Sequence, residues 1–582
     1  MKTPPVGIPP QIGPSVIDDL LPPGNVFSRK ILRRGFLLRA ASAGMLVAAA
    51  PSILAACDQV IDGTPTPVTS IYPAPAAFDS SAVVPQVIVS ATATPTPPAT
   101  VSPTPAVTVP ATVSPTPAVT VPATATPTPP ATLPPSQTPP PRLALTTEAA
   151  RVSHLLRRAG FGASRDDLAR FRGMGLQGTI DYLLGFDVLD DTALEARLAA
   201  QTMDTKKRQD VTHWWLQRMA YSTRPLQEKM TLFWHGILTS SYAATNNTPA
   251  MFEQNEMFRR MGMGRYSEML KAVSRDEAML IYLDSRTNRK SAPNENYSRE
   301  LMELFTLGIG NYSEEDVREA ARSYTGWQVR KSKFKYNKNQ HDNGYKRFLG
   351  QSGTWDGDDV VDIIMQQPAA AEYIVRRLWE FFAYADPEPA VLARLVTVFV
   401  DNQTEIRPVV QAIFESDEFY STKAFRGLIK EPAELAASTV RTLSIDTTFN
   451  TLRTGIEGMG QTLLEPPDVA GWAGGAAWIN STTLLGRVNQ ANKVANGRTA
   501  AGSLRFDPEK LAEGVSATSE AQIDFWVDLL LGGDISDVTR QELLMHAATL
   551  QVPTPAGKSV SVNEQQRSLV YLILASPDYQ LA

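Results

Sequence analysis

One cysteine, Cys57, stands in 582 residues. A lone cysteine excludes an internal disulfide framework and any multi-cysteine metal or iron–sulfur site. No uninterrupted apolar run reaches the roughly 18 residues that signal a membrane-spanning helix. A basic excess is also missing. With 55 Lys and Arg against 60 Asp and Glu the net charge is −5, which gives no electrostatic footprint for nucleic acid. No Gly-x-Ser-x-Gly elbow, Walker loop, dinucleotide fingerprint or His-Glu-x-x-His pair occurs. Charge is nearly absent from residues 58–142, which hold 22 of the 44 prolines. Such a stretch cannot bury enough apolar surface to offset its ordering entropy, so one 582-residue globule is excluded.

What is present falls into three parts. Residues 28–57 read SRKILRRGFLLRAASAGMLVAAAPSILAAC. A basic cluster precedes a weakly apolar, alanine-rich run, and small residues close it, which is the layout of a secretory signal. Arg33 and Arg34 before Gly35-Phe36-Leu37 resemble a twin-arginine signal, with Leu32 where Ser or Thr is usual. Leu54-Ala55-Ala56-Cys57 resembles a bacterial lipobox, whose cysteine is acylated and becomes the new N-terminus. Residues 1–57 are therefore expected to be a lipoprotein signal. Several acyl chains anchor stably where one is marginal. The expected location is extracytoplasmic, at the cell surface or in the periplasm, with the membrane as first partner.

Residues 58–145 are expected to be a disordered Pro/Thr/Ala-rich stalk. Residues 99–110, ATVSPTPAVTVP, are repeated without change at 111–122. Frequent proline removes backbone donors and favours polyproline II, so a fully extended segment would reach on the order of 250 Å.

Residues 146–582 read as a mainly helical, all-α domain. Ser164-Arg-Asp-Asp167 and Ser313-Glu-Glu-Asp316 are capping signatures ahead of apolar residues at helical spacing. Asp356–Asp359 opens a further apolar run, and Thr482–Asn496 is helix-like with Gly497 as its stop. Strand signals are sparse, apart from alternation over Trp327–Tyr336 that predicts a small β ribbon near 326–350.

The motifs themselves form an ordered string. His154-Leu-Leu-Arg-Arg-Ala-Gly-Phe-Gly162 comes first, then Leu232-Phe-Trp-His235 and Asp276-Glu-Ala-Met-Leu-Ile-Tyr-Leu-Asp284. The densest block is Asn294-Glu-Asn-Tyr-Ser-Arg-Glu-Leu-Met-Glu-Leu-Phe-Thr-Leu-Gly308. His341-Asp-Asn-Gly344, Lys430-Glu-Pro432, Pro466-Pro-Asp-Val-Ala-Gly-Trp472 and Trp478-Ile-Asn-Ser481 follow. This string resembles the DUF1800 family of bacterial exported proteins over about residues 150–580. The resemblance implies a helical exported domain, often encoded near DUF1501 (sulfatase-like) proteins, and implies no reaction. Where relatives carry Trp-His-x-His, this chain has Gly236 and Ile237 after His235.

A helix from Asn294 would align Asn296, Glu300 and Glu303 beside an apolar stripe. Stacked carboxylates could hold a divalent cation or have one pKa raised for acid–base work. The same helix spaces Glu295, Arg299 and Glu303 as a plain ion-pair ladder. The polar loop Asp284–Asn294 leads into it. His341 and Asp342 sit at an Asn-Gly turn, as base and orienter, as metal ligands, or only as a turn in which Asp342 caps its own backbone. His235 in an apolar run reads as a supporting residue or as a hydrogen-bonded core histidine. Trp472 and Trp478 flank a glycine-rich loop, either to stack on sugar rings or to fill a loop corner. Two functions remain. One is a surface lipoprotein that binds or assembles with a co-exported DUF1501-like protein or an envelope glycan. The other is a metal-assisted or glycan-directed hydrolase centred on Glu300, Glu303, His341 and Asp342. Proximity of the two pairs in a polar cleft would favour the second, and neutralisation of each by an arginine the first.

Overall fold

In a computed structural model the described residues are 145–497, 504–551 and 560–582. Cys57, Arg33, Arg34 and the proline-rich segment up to residue 144 lie outside them. Among the described residues are 23 α-helices and two small sheets. None of these helices is long and apolar enough to cross a membrane.

The local start signals work as hydrogen bonds. Ser164 Oγ accepts from Asp167 N at the head of α1, Arg165–Leu184. Ser313 and Asp316 form a reciprocal capping box on α2, Glu314–Ser323. Asp356 and Asp359 do the same on α3, Gly357–Met365, so this aspartate cluster is a cap. Asn480 caps α4, Ser481–Asn496. The expected ribbon is present as two hairpins. β1 (Trp327–Val329) pairs antiparallel with β2 (Phe334–Tyr336), and β3 (Lys346–Phe348) with β4 (Gln351–Gly353).

The block expected to be one helix from Asn294 differs. An α-helical turn covers Asn296–Glu300 and then widens into a π-helix, Leu301–Thr306. Side chains also donate to carbonyls of this segment. Thr306 Oγ1 takes Leu301 O, Tyr373 Oη takes Leu304 O and Tyr266 Oη takes Phe305 O.

Two apolar cores form. One gathers Trp234, Tyr266, Phe305, Trp379 and Phe414, the other Trp215, Leu216, Val440, Trp526 and Leu569. The helices Glu148–Arg158 and Pro225–Ile237 serve both. Leu155 and Phe233 face the first core, Leu156 and Leu232 the second. Adjacent residues on different faces of one helix thus join the two cores within one compact unit.

Candidate functional site

Among the described residues, the four singled out as a catalytic or metal centre do not gather as a metal site. Glu300 is half-buried, and burial, with Glu303 nearby, raises its carboxyl pKa. Glu303 Oε2 accepts from Tyr312 Oη at 2.7 Å. The ion-pair ladder is broken, because the π-turn carries Glu303 off the line of Glu295. Arg299 instead forks onto Glu314 at 2.6 and 2.9 Å and reaches Glu295 at 3.5 Å. Asn294 Oδ1 accepts from Asn296 N, and Asn294 Nδ2 reaches Asp284 O at 3.5 Å. Asp284 is exposed in a left-handed turn, with φ of 54°. These three residues build the loop.

His341 is buried, with Nδ1 3.0 Å from Thr325 O and its ring against Tyr336. Asp342 is gripped by Arg322 Nε at 2.7 Å and by Gly344 N at 2.8 Å. The Arg322 hydrogen bond holds its carboxyl below the ordinary range. No hydrogen bond or ion pair joins this turn to Glu300 or Glu303. Among the described residues no three His, Cys, Asp or Glu side chains gather as a metal site.

The motif segments converge elsewhere, around His235. Its Nε2 accepts from Leu464 N at 3.2 Å, and its ring lies edge-on to Trp215 and beside Trp472. Burial pushes its pKa down to about 3, so the imidazole is neutral. Thr239 Oγ1 donates to Val469 O, and Gly471, with φ of 83°, lies directly on Gly236 O. A side chain at 471 would collide there, which explains glycine. Asp276 caps Glu277–Tyr282 through Met279 N at 2.9 Å and accepts from Gln254 at 2.7 Å. Burial pushes its pKa up to about 7. The Tyr282 hydroxyl is pushed up to about 12, first by burial, then by Asp468 and Glu300. Tyr282 thus feels both Glu300 and Asp468, the latter on the loop that carries Trp472. Asp276, Tyr282 and Asp468 were missed as site residues, although each stands inside or beside a quoted motif. Trp478 is buried and Trp472 half-buried, so they do not present a pair of exposed indoles.

A family model described as a protein of unknown function (DUF1800) matches residues 154–581. The chain belongs to the DUF1800 family. No curated protein matches it, and no solved structure does. The two ends of the DUF1800 match meet in space. Arg158 donates to Phe382 O at 2.8 Å and Ala582 O at 3.3 Å. Lys430 Nζ donates to Tyr579 O at 2.8 Å, and Arg487 reaches Gln580 Oε1 and Lys430 O. His154 Nε2 lies 3.0 Å from Phe419 O. The opening DUF1800 motif and Lys430-Glu-Pro432 are thus clamps on residues 577–582. Burial pushes the Lys430 ammonium down to about 7 and the Glu431 carboxyl up to about 7. Lys430 is buried by this clamping, while Glu431 accepts from Gln461 Nε2 at 2.6 Å.

Proposed function

We propose that this DUF1800 chain is an exported lipoprotein that holds its helical domain away from the membrane and acts there by binding. The observation that carries the binding reading is the engagement of the acid–base candidates. Asp342 is neutralised by Arg322, His341 is held at Thr325 O and Glu303 accepts from Tyr312. A general base needs a free path to its proton, and these groups point into internal partners. Display rests on the order of signal, Cys57, proline-rich segment and domain in the sequence. The partner class is a co-exported DUF1501-like protein or an envelope glycan, met at the convergence of motifs around Trp472. Cys57→Ser in the full chain is expected to move the protein from the membrane fraction to the soluble one. Unchanged partitioning would sink the anchor.

A second reading, a glycan-directed hydrolase, is favoured by one observation. Among the described residues Glu300 has no hydrogen-bonded partner, its pKa is raised first by burial, and it stands where an α-turn passes into a π-turn, a feature that recurs at functional sites. On that reading Glu300→Gln abolishes release of soluble fragments from cell-wall glycan while the fold is kept. Absence of release by the unaltered chain discards it.

A further inference from the structure

We propose that a cleft on the far side of Pro432–Thr442 from the lysine clamp binds a small ligand through a carboxylate. The cleft holds about 330 Å³. That is the lower end of the range of small-ligand sites, about 300–1,000 Å³. Its walls are the head of α1 (Arg165–Leu184) and the ends of the helices Thr192–Ala199, Arg208–Tyr221 and Pro432–Thr442. Arg170, Arg197 and Arg441 line it with Asp167, Asp446 and Tyr221.

Each guanidinium is held in place by one edge. Arg197 donates to Gln217 Oε1, Asp446 Oδ1 and Thr447 O, and its plane lies 4.1 Å from the Tyr221 ring centre. Arg170 donates to Asp167 Oδ1 at 2.8 Å and rests over Phe171 and Tyr182. Arg441 Nη1 donates to Ala220 O and Ser222 O, while Nη2 stays 3.8 Å from Asp167. Arg441 is 9% exposed, and its Nε is buried with no hydrogen-bond partner. Among the described residues Nη2 makes no hydrogen bond, so it is the nitrogen of Arg441 left for an acceptor in the cleft.

The charge count indicates which acceptor. Three arginines face two aspartates, which leaves one positive charge in the lining. A monoanion closes that balance, and a phosphate dianion exceeds it. Planar guanidinium forks also match the geometry of a carboxylate. The site rests on neither the anchor nor a macromolecular partner, so it stands or falls separately from them.

Calorimetric titration of the full chain decides it. The probes are N-acetylmuramate and D-glucuronate as carboxylates, N-acetylglucosamine as the neutral match, and inorganic phosphate. Saturable binding of at least one carboxylate is expected, at least tenfold weaker in Arg170→Ala, with none for N-acetylglucosamine. Arg170 is exposed, so this variant keeps the fold even where Arg441→Met, which uncaps Ala220 and Ser222, does not. The proposal is overturned by no saturable binding of either carboxylate. Equal binding of N-acetylglucosamine or phosphate, or unchanged affinity in Arg170→Ala, overturns it too.

Discussion

Glu228→Ala is expected to destabilise the domain by about 3 kcal/mol or more, the cost of leaving a buried charge without its partner. Glu228 is fully buried and accepts from Arg259 Nε at 2.7 Å and Nη2 at 2.9 Å. Arg218 approaches at 3.9 Å, and the two arginines cover the Trp214 ring, at 4.8 and 4.7 Å from its centre. Once Glu228 is gone, Arg259 keeps Glu256 and Asn255, which holds the loss near the lower end of the usual 3–5 kcal/mol. Glu228→Leu combined with Arg259→Met removes both charges and should recover more than half of that loss. Guanidinium unfolding followed by tryptophan fluorescence measures both. A loss below about 1 kcal/mol for Glu228→Ala would contradict the buried-pair account. The consequence reaches the candidate site, because Glu228 and His235 share the helix Pro225–Ile237.

His235→Gln should change how stability depends on pH. An unfolded histidine titrates near 6.5, while burial holds His235 in the fold near 3. Between those values the unfolded chain binds a proton that the folded chain does not. The stability that His235 contributes is therefore complete above pH 6.5 and is lost as pH falls towards 3. Between pH 7 and pH 4 the loss amounts to about 3 kcal/mol. Asp276 and Glu431, both raised to about 7, act with the opposite sign over roughly the same interval. The test is therefore the difference between the two proteins. At pH 7 the variant should be the less stable, and at pH 4 the gap should narrow by about 3 kcal/mol. A gap that is the same at both pH values would mean that His235 titrates normally in the fold.

The elements that sequence reading placed well share one property, short range. Ser313 with Asp316, Asp356 with Asp359 and Ser164 with Asp167 each close a hydrogen bond across three residues. Alternation over 327–336 gave β1 and β2 for the same reason. The π-turn was illegible because its contacts are long-range: Tyr266 and Tyr373, which donate to its carbonyls, stand 39 and 69 residues away. The Glu295–Arg299–Glu303 ladder failed with it, since a ladder needs uninterrupted α spacing. His341-Asp342 read as a reactive pair only while Arg322, 20 residues earlier, was not known to face it.

By itself the sequence determined the family of the chain, its helical class and where several of its helices begin. Those are written in composition, in motif order and in contacts between near neighbours. The tertiary structure decided which charges are buried together and which are satisfied. Lys229 meets Glu434 across 205 positions, and Arg197 meets Asp446 across 249. Such pairs arise only when packing removes water from both partners, and desolvation has no signature in either residue's own surroundings. The arginine-lined cleft exists for that reason, assembled from the ends of four helices that are unremarkable one at a time.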